Sequence, residues 1–130
     1  MIQPDQLKAI LNTIEGTDYA GKSSIDLLME YGFQLKQWMA FSGEQMSLAK
    51  EALHRKKKQA MINLVASLGA QKIHLSPLLQ KEYVNDCCHM EHGIYELADR
   101  CNKACSHSIN LVITCISALK EEMKLSQVLS

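Results

Sequence analysis

Residues Ser76–Ser130 read SPLLQKEYVNDCCHMEHGIYELADRCNKACSHSINLVITCISALKEEMKLSQVLS. The stretch has no proline after Pro77 and a single glycine, Gly93. All five cysteines and three of the five histidines fall within it. Read as a heptad, Cys87, Ile94, Cys101, Ser108 and Cys115 recur at one position. Met90, Leu97, Ala104, Leu111 and Ala118 recur three residues further on, flanked by Ala98, Cys105, Val112 and Leu119. Apolar residues at that spacing line one side of a helix. The pattern predicts one long helix over 77–125, about 70 Å at 1.5 Å per residue. Ser76 precedes Pro77, an N-cap with proline at the first helical position.

The segment 24–68 mirrors it. Leu28, Gly32, Leu35, Met39, Ser42, Met46, Ala49 and Leu53 follow a 4–3 spacing, and Ala60 and Leu64 continue it. That is the spacing of a coiled-coil-like seam. Tyr31, Trp38 and Phe41 widen the apolar face. Gly32 and Gly43 cost stability inside a helix, which points to close helix approach or a bend. Gly69 is expected to end this helix. A first short helix over 4–15 opens at Pro4 and buries Leu7, Ile10, Leu11 and Ile14 at i, i+3, i+4, i+7. Gly16 suits its C-terminus.

The fold class that follows is all-α: one domain, 1–130, with a short N-terminal helix and a long antiparallel helical hairpin. Aromatic residues make up 5% of the chain, and strong helix formers fill the long segments. Apolar stripes wider than a strict two-position seam leave so thin a hairpin with faces to cover. Self-association into an oligomeric helical bundle is therefore expected. The packing seam and oligomer interface would use Leu28, Gly32, Leu35, Met39, Met46, Leu53, Ile94, Leu97, Cys101, Leu111 and Cys115.

Formal net charge is +0, so the chain as a whole has no bias toward polyanions. The start, MIQPDQLKAILNTIEG, lacks the pattern of a signal peptide, and no apolar run approaches a membrane span. The expectation is a cytoplasmic protein with free thiols.

Four constellations bear on chemistry. Gly16–Ser23, GTDYAGKS, matches the GxxxxGKS phosphate-loop string. A phosphate loop needs a preceding buried strand, and LKAILNTIE has helical spacing, so the match reads as a helix end followed by a helix start, with Ser23 as the cap. Cys88/His92 and Cys101/Cys105 are i, i+4 pairs, each able to offer two ligands to a metal. By helical rise they lie about 20 Å apart, so they cannot share an ion within one chain. Small cysteines at a close helical seam explain most of them without metal. A metal-binding bundle stands as a second alternative. Glu51 and His54 form a single Glu-x-x-His pair, without the second that a di-iron bundle needs. Cys105 and His107, i, i+2, face different sides of a helix, and no glycine-rich oxyanion loop accompanies a cysteine. No enzymatic activity and no cofactor are expected. Fourth, Lys50 to Lys58 carries five Lys/Arg and one Glu. Lys50, Arg55, Lys56, Lys57 and Lys58 are candidates for nucleic-acid phosphate contacts; the plain alternative is a solvated face paired with acids across the hairpin.

The order of features resembles a known family. A helix with Tyr and Trp (YGFQLKQWMAFSGEQMSLAKEALHRKKKQA), a Lys-rich helix end, and a long helix with central cysteines (DRCNKACSHSI) are similar to the phage recombination mediators of the UvsY type over roughly residues 31–120. The resemblance implies a small, oligomeric helical protein of a phage or mobile element. Its partners would be single-stranded DNA, held by Arg55–Lys58 with Lys50 in support, and a recombinase. The zero net charge departs from that pattern. The first reading is thus a non-enzymatic helical interaction protein acting through self-association. The alternative is a single-stranded-DNA-binding recombination mediator.

Overall fold

A computed structural model describes residues 1–18 and 24–129. Four helices follow one another: α1 (Pro4–Glu15), α2 (Ile25–Gln71), α3 (Pro77–Cys87) and α4 (His89–Leu129). No strand occurs among the described residues. The all-α class and the antiparallel hairpin expected from the spacing are present, with α2 as one leg and α3 plus α4 as the other.

α2 and α4 form the main packing interface. Its registration can be read from two contacts. A Cβ on Gly32 would sit 3.5 Å from Val112 Cγ1, and one on Gly43 would sit 3.7 Å from Asn102 Nδ2. Asn102 Nδ2 donates to the Met39 carbonyl at 3.0 Å and to Ser42 Oγ at 3.1 Å. Both Cβ distances are ordinary van der Waals contacts, so neither glycine is required by lack of space; α2 runs through both without interruption.

α1 packs against α4 and buries Leu7, Ile10, Leu11 and Ile14, as expected. Its ends are tied to α2. Gln45, buried in α2, accepts from the Gln3 N–H through Oε1 at 2.6 Å and donates from Nε2 to the Met1 carbonyl at 3.0 Å. At the other end, Tyr31 Oη donates to Thr17 Oγ1 at 3.3 Å. α1 thus runs antiparallel to α2. Leu7, Ile10, Ile14, Leu28, Leu35, Ala98, Cys101, Cys105 and Val112 form the principal core. Tyr31 and Trp38 meet edge to face at its margin, centroids 6.4 Å apart.

Towards the hairpin tip only two helices remain. There α2 and α3 share a small cluster of Ala60, Leu64 and Val84, with Leu68 and Leu75 at its edge.

Three expectations need correction. The long helix over 77–125 is broken at Cys88 (φ −105°, ψ 17°), where α3 ends and α4 starts. The Cys88 N–H bonds back to the Asn85 carbonyl at 3.1 Å, and the Cys88 carbonyl accepts from His92 N–H at 2.9 Å. Asn and Asp compete with helical backbone bonding, and Asn85-Asp86 stands just ahead of the break. Gly93 lies inside α4 and interrupts nothing. Second, Gly69 does not end α2. The helix continues to Gln71, and Lys72 takes the left-handed conformation (φ 55°). Third, Leu111 is not part of the intrachain seam. The second row of α4 is Ala98, Cys105 and Val112, four residues beyond the first, not three. The small residues of α2 at Ser42 and Ala49 let that row close on the hairpin. Leu97, Ala104 and Cys115 stay half-buried at the core margin, and Leu111 is 38% exposed.

At the tip, Ser76 accepts from the Leu79 N–H at 3.3 Å, and Pro77 occupies the first turn, as expected. Ser24, not Ser23, precedes α2; Ser23 and most of the Gly16–Ser23 string lie outside the described residues. The described part is a helix followed by Gly16, whose N–H donates to the Asn12 carbonyl at 3.0 Å.

Candidate interaction surfaces

The seam residues divide by burial. Leu28, Leu35, Leu53 and Cys101 are buried within the chain, whereas Gly32, Met39, Met46, Ile94, Leu97 and Cys115 are half-buried. Beside this seam lies an apolar surface that the sequence reading missed. Met29, Gly32, Phe33 and Lys36 of α2 face Ile109, Ile113 and Ile116 of α4 across a largely apolar groove of ≈ 220 Å³. Phe33 is 60% exposed and Ile113 57%. α1 covers other side chains of the same hairpin, so this groove stays open. Its signal is in the sequence: Met29 and Phe33, and Ile109, Ile113 and Ile116, carry helical spacing one step outside the seam.

The basic run occupies the two-helix end. Lys50, Arg55, Lys56 and Lys58 are exposed and Lys57 is half-buried. Arg55 pairs with Glu51 on its own helix at 3.3 Å. Among the described residues the ion pairs across the hairpin that spacing makes feasible do not form. Among the described residues no carboxylate lies within 4.0 Å of Lys50, Lys56, Lys57 or Lys58, and the other two pairs, Lys103–Asp99 and Lys124–Glu121, also stay within α4. Two shallow concavities flank the run. One, ≈ 590 Å³, is lined by Ala52, Arg55, Lys56, Gln59, Ile62 and Glu91. The other, ≈ 510 Å³, joins Lys57, Lys58 and Met61 to Gln80, Lys81 and Asn85 of α3. Lys81 is a cation that reading the run by itself does not find; folding the hairpin brings it in.

Charge is separated along the molecule despite its zero sum. Residues 50–91 hold seven Lys/Arg and four Asp/Glu, and residues 1–49 hold three and six. The hairpin tip is therefore positive and the amino-terminal half negative.

The cysteine cluster is mostly interior. Cys88, Cys101 and Cys105 are buried, Cys115 is half-buried and Cys87 is exposed; all five are free thiols. The Cys105 thiol is pushed far up by its hydrogen bond with Cys101 and by burial. The same bond eases proton loss from Cys101, against desolvation. Burial also raises Cys88, helped by the Glu91 carboxylate and opposed by Lys57 and Lys56. Among the described residues no three His, Cys, Asp or Glu side chains come together as a metal site. Cys105 is buried while His107 is exposed. Among the described residues no helix is long and apolar enough to cross a membrane.

No protein-family model, curated protein or solved structure matches this chain.

Proposed function

We propose that this protein is a non-enzymatic helical assembly protein that works by self-association. The observation that carries the reading is the open apolar groove between α2 and α4, with Phe33 and Ile113 more than half exposed on rigid helices. Exposed contiguous apolar surface marks interaction sites, and helices with unpartnered stripes complete their bundles between copies. Sedimentation at micromolar concentration tests it. The wild type is expected to exceed the 14.6 kDa of one chain, and Phe33→Lys is expected to return it to a monomer of unchanged helicity. A wild-type monomer at ~100 μM overturns the reading, since specific interfaces of ordinary size assemble well below that concentration.

A second reading is favoured by the unpaired cations at the hairpin tip: single-stranded nucleic acid held by its phosphates at Lys56, Lys57, Lys58 and Lys81. The resemblance to recombination mediators agrees with it, and would add a recombinase as partner. Anisotropy of a labelled oligonucleotide should show binding that weakens steeply with salt and vanishes in Lys56→Glu/Lys57→Glu. Absence of binding at low salt removes this reading and leaves the first intact.

A further inference from the structure

The hairpin tip exposes more apolar side chain than it buries. Its two helices enclose Ala60, Leu64 and Val84, whereas Ile62, Val65, Ile73, Leu78, Leu79 and Tyr83 are each 49–66% exposed. Single exposed apolar residues are ordinary on a protein surface; six at one end of a molecule mark a contact with something apolar. The charges are set behind them. Between Lys58 and Lys81 the sequence holds one residue of formal charge, Lys72. Flanking that stretch stand Arg55, Lys56, Lys57 and Lys58 of α2 and Lys81 of α3. Residues 55–83 thus carry six Lys/Arg and one Asp/Glu.

Both sides of the hairpin share this order. One concavity joins Lys57, Lys58 and Lys81 to Met61. A second joins Lys56 to Tyr83. Helical phase puts Lys56 and Lys57 on opposite sides of the buried row of Ala60 and Leu64. A rigid partner covers one face of a two-helix end. An apolar end exposed on both sides, with a collar of cations behind it, is complementary to a medium that surrounds it: acyl chains beneath a layer of anionic headgroups. Nucleic-acid phosphates would satisfy the cations and leave the apolar side chains in water. A second tip would bring a like excess of cations.

We propose that the hairpin tip, residues 55–83, docks on an anionic lipid surface. The tip enters only to the headgroups and first methylenes, where water still reaches the backbone of 72–76. Ile73, Leu78 and Leu79 lead. Lys72 reaches back to the headgroups along its own stem. Arg55–Lys58 and Lys81 meet the lipid phosphates. This surface is separate from the apolar groove: Phe33 lies about 48 Å from Val65 along α2 at 1.5 Å per residue. The docking therefore does not depend on self-association.

Co-sedimentation of the full chain with vesicles tests it, using phosphatidylcholine with about a third phosphatidylglycerol, and phosphatidylcholine alone as the neutral arm. Binding to the neutral vesicles should be at least about 10-fold weaker. Lys57→Ala/Lys58→Ala should cost about 30-fold, roughly fivefold for each lysine lost. Leu78→Ser/Leu79→Ser should cost at least about 10-fold with helicity unchanged, since both side chains are exposed. Brominated acyl chains should quench the fluorescence of Leu79→Trp but not that of the wild type, whose single tryptophan, Trp38, packs on the principal core. No binding at low salt overturns the proposal, and so does equal binding to neutral vesicles. Binding that is insensitive to Leu78→Ser/Leu79→Ser and gives no quenching also overturns it, leaving a contact of cations alone such as nucleic-acid phosphates make. If the wild type leaves anionic vesicles unbound while Leu78→Ser/Leu79→Ser alters its sedimentation without lipid, the tip is a contact between copies and the proposal falls.

Discussion

Gln45 is a polar residue outside the expected seam that is buried in α2, and the structure shows what it does there. Both ends of its amide are used, one on the Gln3 N–H and one on the Met1 carbonyl. It thereby holds the start of α1 against the middle of α2. Truncation to alanine removes both bonds, and a buried group left unsatisfied costs about 1–3 kcal/mol. Gln45→Ala is expected to lower unfolding stability by about 1–2 kcal/mol in urea titrations, with most of the effect absent when residues 1–3 are also deleted. Cys88 offers a second test. Its thiol is held above its ordinary value of 9.0, first by burial and then by Glu91. The folded state therefore keeps the proton after the unfolded chain has begun to release it. The contribution to stability is complete below pH 9 and is lost as pH rises beyond it. Between about pH 9 and pH 11, wild-type stability should fall more steeply than that of Cys88→Ala. Equal slopes would assign the loss to other groups.

At the scale of the helix, the ends carry the information. Lys72 adopts φ 55° to close α2, a conformation that costs a residue with a side chain about 1–2 kcal/mol and glycine little. Lys72→Gly is expected to raise the midpoint of thermal unfolding, by about 1 kcal/mol of stability. α1 and the tip were legible because their signals are local: Pro4, Gly16, Ser76 and Pro77 act within a turn of where they stand. The end of α2 was not legible in the same way. Gly69 is the expected stop, but its carbonyl is used by the Lys72 N–H at 3.4 Å and the helix runs on past it. The break at Cys88 was hidden by periodicity, which continues across Asn85-Asp86. The second row of α4 is hidden in the sequence for a different reason. Ala98 and Cys105 look like flanking residues until the facing surface is known, and that surface comes from Ser42 and Ala49, far away in sequence. The basic run is visible in the sequence as a cluster, but Lys81 joins it only through the hairpin.

Over the whole molecule, packing is uneven along the long axis. The middle has three helices around a core that includes Leu28, Leu35, Cys101 and Cys105. The tip has two helices and a cluster of Ala60, Leu64 and Val84, and the end of α4 beyond Leu119 is exposed throughout its described residues. Opening free energies follow buried apolar contact. Hydrogen exchange is expected to be slowest for amides of residues 32–49 and 98–112, faster for 77–87, and fastest for 121–129. Uniform protection from 77 to 112 would show that the tip and the middle open as one unit. The interruption at Cys88 has a further consequence, for tolerance to insertion and deletion. An added residue within α2 turns every later side chain by 100° and moves the seam off its partner. An added residue between Gln71 and Ser76, or next to Cys88, changes the phase of α3 alone. α3 is held by one small cluster, while α4 keeps its register with α2 through Gly32, Gly43 and Asn102. The joint therefore lets the tip vary in length and presentation while the body of the protein stays in phase.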